Sequence, residues 1–154
     1  MPWFWLTPLL LLCAAAGVWF WRVGKAARPT ERWRLARQAF DARRAELQAQ
    51  FFATAAASGK PRGLRWKECQ WDDALAAICE KNTGQLLALV GVTIAFEAVE
   101  GGDMEGLAAV GNLRNATAVF FLHEGEWRTS GRAVFNLNPD EAAAHFGQQY
   151  ERIG

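Results

Sequence analysis

The chain has 154 residues, 51% of them apolar, with 17 Lys+Arg against 16 Asp+Glu. That length holds one core of about 100–150 residues plus an appendage, and the charge balance excludes a generally basic nucleic-acid binder and an acidic disordered tail. Three cysteines without paired spacing exclude a disulfide scaffold and a four-ligand zinc site. The balance hides a division: residues 1–67 carry 12 basic and 3 acidic side chains, residues 68–154 carry 5 and 13.

Residues 3–21, WFWLTPLLLLCAAAGVWFW, contain no charge. As a helix rising 1.5 Å per residue the run is about 28 Å long, close to the ~30 Å hydrocarbon core of a bilayer. Trp3 and Trp5 at one end and Trp19 and Trp21 at the other match the two aromatic belts of a span. Arg22, Lys25 and Arg28 follow the run and no basic side chain precedes it. The positive-inside rule therefore predicts a single-pass anchor over 1–22, with the N-terminus outside and the remainder cytoplasmic. The alternative is a signal peptide cut after Ala14-x-Ala16, which would release a secreted or periplasmic domain. Against it, no Lys or Arg opens the run and hydrophobicity continues past the cut.

Residues 23–62 read as a basic amphipathic stalk helix and linker. Pro29-Thr30-Glu31 is a helix start, and the pattern runs to about residue 57. Trp33, Ala36, Phe40, Leu47 and Phe51 form an apolar stripe at helical spacing, interrupted by Arg43 and Arg44. Three readings fit: arginines against anionic lipid headgroups at ~1 kcal/mol each, self-association through the stripe, or packing on the chain's own domain. Residues 58–63, SGKPRG, end the helix.

Residues 63–154 change to an alternating period. Ala88, Val90, Val92, Ile94, Phe96 and Ala98 mark the core face of a strand, with a bend or bulge expected near Gly91. Residues 74–80 pair with it across Asn82-Thr83-Gly84, placing Ile78 opposite Ala88 and Ala76 opposite Val90. Residues 64–71 form a preceding strand with Asp72-Asp73 as its turn. A second hairpin turns at Glu124-Gly125, matching Leu122 with Trp127, Phe121 with Arg128, Phe120 with Thr129, Ala118 with Gly131 and Thr117 with Arg132. Asn138-Pro139-Asp140-Glu141 starts a last helix whose apolar face is Ala142, Phe146, Tyr150 and Ile153. The sum is α+β: an antiparallel meander of about five strands between helices. This element order resembles the NTF2-like and cystatin-like class of curved sheets around a helix, over roughly residues 30–154; no diagnostic motif accompanies it.

Chemistry is sparse. His123 and His145 have no catalytic signature around them, and no Gly-rich phosphate loop occurs. Glu97, Glu100, Asp103 and Glu105 are candidates for a hard-cation site or a general acid, though they lack an EF-hand pattern and flanking glycines explain a solvated turn. Glu68, Asp72 and Asp73 have the same two readings. Cys69 and Cys79 are placed in neighbouring strands, reduced in the cytoplasm and bridgeable only outside it. Trp66, Trp71 and Trp127 either fill the core or line a pocket.

The expectation is a membrane-anchored protein without cofactor, metal or nucleic-acid partner. Its cytoplasmic domain serves as a non-catalytic protein-interaction or scaffolding module, and the bilayer and its anionic headgroups are partners. The alternative is a small-molecule-binding or enzymatic pocket on a curved sheet. A filled helix–sheet interface favours the first, and a deep pocket holding a desolvated carboxylate the second.

Overall fold

A computed structural model describes residues 28–58 and 63–154. The charge-free run, with Trp3, Trp5, Trp19, Trp21, Arg22 and Lys25, lies outside them. Among the described residues no helix is long and apolar enough to cross a membrane.

The basic segment forms two helices, α1 (Pro29–Ala42) and α2 (Arg44–Ser58). Proline in the first turn needs no amide partner there, and Glu31 suits the positive helix end. The break falls at Arg43, where the apolar stripe is interrupted. Both halves bury their apolar face: Trp33, Ala36 and Phe40 from α1, Leu47, Phe51 and Ala55 from α2. Of the three readings of this segment, packing on the chain's own sheet is observed.

Five strands follow: β1 (Leu64–Glu80), β2 (Leu86–Ala98), β3 (Arg114–His123), β4 (Glu126–Phe135) and β5 (Tyr150–Arg152), with helix α3 (Pro139–His145) before the last. They form one antiparallel sheet in the order β4-β3-β2-β1-β5. The expected core face of β2 is observed: Ala88, Val90, Val92, Ile94 and Phe96 pack with Phe40, Phe51 and the other residues of α1 and α2. The other face has a smaller core of Ala76, Ile78, Leu87, Leu89 and Val119 under Ala142 and Ala143 of α3.

That double burial explains a one-residue error in the expected first hairpin. Ile78 pairs with Leu87 and Ala76 with Leu89, because the connection spans four residues, 81–84, closed by Glu80 N–H to Gln85 O at 2.9 Å. Apolar residues occupy both parities here, so alternation carries no register information.

Asp72-Asp73 is a bulge inside one continuous strand, not a turn. Trp71 pairs with Val92 and Leu75 with Val90, so the extra residues lie in β1, opposite Gly91, rather than in β2. The Asp72 carboxylate accepts the Ala74 N–H at 3.2 Å, a local bond that ordinarily initiates a turn. Arg44 of α2 donates to the Asp72 carbonyl at 2.7 Å and pins the bulge. Cys69 and Cys79 consequently share β1 instead of facing each other across strands.

The second hairpin turns as expected, with Glu124 and Gly125 both at positive φ. Leu122, Phe121 and Phe120 meet Trp127, Arg128 and Thr129; beyond them Ala118 meets Ala133 and Thr117 meets Val134, because β4 carries an irregularity. Gly131 sits in it at φ 74, and a β-carbon there would lie 2.5 Å from the Ala55 amide nitrogen. Only glycine lets α2 approach β4 so closely.

The last helix starts at the expected Asn138 cap, which forms a capping box with Glu141, but stops at His145. Gly147 at φ 78 turns the chain, and residues 150–152 pair with Ile78–Glu80 at the sheet edge. The apolar set Ala142, Phe146, Tyr150 and Ile153 is thereby divided, with Ile153 on the larger core and the rest on the smaller. β5 covers only the end of β1, so the outer edge of β1 over residues 64–76 has no strand beside it among the described residues.

Candidate functional site

The space between the helices and the sheet is occupied by aromatic rings. Phe40 meets Phe120 and Trp127 edge to face, both at 5.3 Å between centroids. Phe51 meets Trp71 at 5.4 Å and Trp66 at 6.2 Å in the same manner. Such contacts add about 0.5–1.5 kcal/mol each beyond burial. Trp66 and Trp127 are core residues and Trp71 is half-buried against them.

A recess lies on the opposite face, beside the start of α3. It is a cleft of about 500 Å³ lined by Gly91 and Thr93, by Asp72 and Asn115, and by residues 136–139 and 141. Its polar groups mostly serve the fold. Thr93 Oγ1 donates to Asn115 Oδ1 at 3.3 Å, Asn138 and Glu141 bond each other's amides at 2.9 and 3.0 Å, and Thr117 Oγ1 donates to the Leu137 carbonyl at 2.8 Å. No histidine or cysteine lines it, so it offers neither a thiol nucleophile nor an imidazole base.

A shallower groove of about 380 Å³ runs between α2 and β1, lined by Phe52, Lys67, Glu68, Cys69 and Trp71 among others. Burial, with the Glu68 charge beside it, pushes the Cys69 thiol up to about 11. This is the opposite of the shift that activates a cysteine. Cys79 is buried and also raised, chiefly by burial.

The carboxylates proposed from sequence do not converge. Glu97 is held by Arg65 at 2.8 Å, Glu105 turns back to accept the Gly101 N–H at 2.8 Å, and Glu100 and Asp103 are exposed on the loop. Among the described residues no group of three His, Cys, Asp or Glu side chains is arranged to hold a metal ion. Glu68 and Asp72 lie on separate stretches of β1, one in the groove and the other at the cleft. His123 is exposed beside Glu124, and His145 ends α3.

Exposed apolar side chains concentrate at the end of the sheet where β2 passes into β3. Leu107 is 50% and Leu113 57% exposed, with Val99 and Phe135 also open to solvent. The sequence pattern singles out only the acidic residues of this end, because isolated leucines in a glycine-rich loop carry no periodic signal. Comparison with protein-family models, curated proteins and solved structures finds no match.

Proposed function

We propose that the protein is a single-pass, membrane-anchored interaction module without catalytic activity. Residues 1–22 serve as the anchor, the N-terminus lies outside, and the α+β domain engages a protein partner in the cytoplasm. The observation that carries this reading is the filled helix–sheet interface. Where a curved sheet of the NTF2-like or cystatin-like kind would leave room for a ligand, Phe40, Phe51, Trp66, Phe120 and Trp127 occupy the space. Among the described residues the candidate carboxylates are exposed or paired and burial raises the thiols of Cys69 and Cys79, which weighs against acid–base and nucleophilic chemistry at these positions. Leu107 and Leu113 supply the apolar surface for a partner.

The test has two parts. A cysteine placed at the exposed Gln148 is treated in intact cells with a membrane-impermeant thiol reagent, beside the chain without the added cysteine. Protection until the membrane is opened supports the topology, whereas labelling in intact cells points to a secreted or periplasmic domain. A photo-reactive residue at Leu107 or Leu113 is then expected to yield one defined protein adduct, and the same residue at Arg128 none. Adducts at no position, or at all three alike, overturn the interaction reading.

A further inference from the structure

The fold sorts the basic residues of α1 and α2 into engaged and free. Arg34 pairs with Glu31 at 3.3 Å, Arg37 with Asp41 at 3.5 Å and Arg43 with Glu46 at 2.9 Å, while Arg44 is spent on the β1 bulge. Arg28 and Arg32 make no ion pair among the described residues. Their position brings a third cation to them. The Arg32 guanidinium lies against Gly84, 3.1 Å from where a β-carbon on that residue would sit. Gly84 and Lys81 belong to the same turn between β1 and β2, and the Lys81 N–H donates to Gln149 O just before β5. Lys81, also without an ion pair among the described residues, therefore shares one end of the sheet with the start of α1, 53 residues earlier than itself at Arg28.

The opposite end is different. β2 is 13 residues long, which at ~3.3 Å per residue puts its far end about 40 Å from the turn. The loop it enters, residues 99–113, carries Glu100, Asp103 and Glu105, and the strand ends beside it add Glu97, paired with Arg65, and Arg114. On the turn end the carboxylates are Glu80, which accepts from Thr83 Oγ1 at 2.5 Å, Glu151, Glu31, paired with Arg34, and, at the β3–β4 hairpin, Glu124 and Glu126, the latter paired with Arg128. Six residues, including Arg22 and Lys25, separate Trp21 from Arg28. Fully extended they reach no more than about 25 Å, so the start of α1 stays close to the end of the charge-free run.

We infer that the sheet end formed by the β1–β2 turn, the first turn of α1 and β5 faces a bilayer surface bearing anionic headgroups. Arg28, Arg32 and Lys81 are the contacting cations. This rests on the anchor reading above and deepens it: it selects which face of the domain meets lipid, and adds a residue from outside the basic segment. The three cations, unpaired among the described residues, draw an anionic surface to this end, and the length of β2 keeps Leu107 and Leu113 about 40 Å away from it.

The experiment uses the full chain reconstituted in phosphatidylcholine vesicles with and without phosphatidylserine, with a photo-reactive residue at Asn82 or Leu107 and lipid adducts read by mass. With phosphatidylserine present, adducts at Asn82 exceed those at Leu107 several-fold. Lys81→Gln lowers the Asn82 yield about fivefold, whereas Lys67→Gln, a like change on the side of the sheet, leaves it unchanged. Equal yields at the two positions, or no dependence on phosphatidylserine or on Lys81, overturn the inference. Flotation in high salt separates the two failures. A chain that does not float with vesicles overturns the anchor reading and this inference together; one that floats but reacts equally at Leu107 overturns the inference alone.

Discussion

The indole N–H of Trp127, at the start of β4, donates a 2.7 Å hydrogen bond to the backbone carbonyl of Ala36 in the middle of α1. Both residues are buried, so the bond ties the basic segment to the sheet out of reach of water. Trp33 packs edge-on to the same ring at 6.1 Å. Trp127→Phe keeps most of the ring and removes the donor, and is expected to destabilise the domain by about 1–2 kcal/mol. Trp127→Ala, which also opens a cavity, costs about 3–5 kcal/mol. Urea unfolding followed by circular dichroism distinguishes the two, and equal losses would show that the hydrogen bond contributes nothing.

Gly131 and Gly125 both adopt positive φ, but only Gly131 has a neighbour in the way. Gly125→Ala should therefore cost about 1–2 kcal/mol, the left-handed backbone term alone. Gly131→Ala adds a clash with the backbone of Ala55 and should cost about 3 kcal/mol or more, within the range for overpacking. The measurement is the difference in denaturation midpoint between the two variants.

A β-carbon on Gly91 would come 3.0 Å from the Asp72 β-carbon. Gly91→Ala is expected to destabilise by about 1–2 kcal/mol through this contact. In an Asp72→Gly background the penalty should shrink, giving a coupling of at least about 0.5 kcal/mol in a double-mutant cycle. Additive losses would mean that the bulge moves aside without strain.

Cys69, with its thiol pushed up to about 11, should alkylate about a hundredfold more slowly at pH 8 than an ordinary thiol of value 9.0. Its rate should rise tenfold per pH unit until about pH 10. The sign for stability follows: the unfolded chain ionises first, so this group's contribution is complete below pH 9 and is lost between about 9 and 11. Rates of iodoacetamide labelling on the folded chain test it; a plateau near pH 9 would place the thiol in water.

The parts of the fold legible in the sequence are those fixed by local chemistry. Glu124-Gly125, the Asn138 cap, the apolar stripe of α1 and α2 and the core parity of β2 each follow from a few adjacent residues. What was not legible depends on partners distant in sequence. Asp72-Asp73 has turn chemistry, yet Arg44 and the missing β-carbon of Gly91 keep the strand running through it. The register beyond Thr129 depends on how closely α2 approaches Gly131, which no alternation in β4 announces. The cleft was invisible because its lining comes from residues 72, 91–93, 113–116, 136–139 and 141. The acidic loop residues cluster in sequence, but adjacency in sequence does not become convergence in space.

The uncovered stretch of β1 has a consequence for life at high local concentration. Open strand edges invite copies of a protein to zip together into extended sheets. Here the register slips twice, between Trp66 and Glu68 and between Trp71 and Leu75. Arg65, Lys67, Glu68, Asp72 and Asp73 are distributed along the same stretch. No straight run longer than a few residues is left for a neighbour to hydrogen-bond. Edge-to-edge pairing of copies through this stretch is therefore disfavoured.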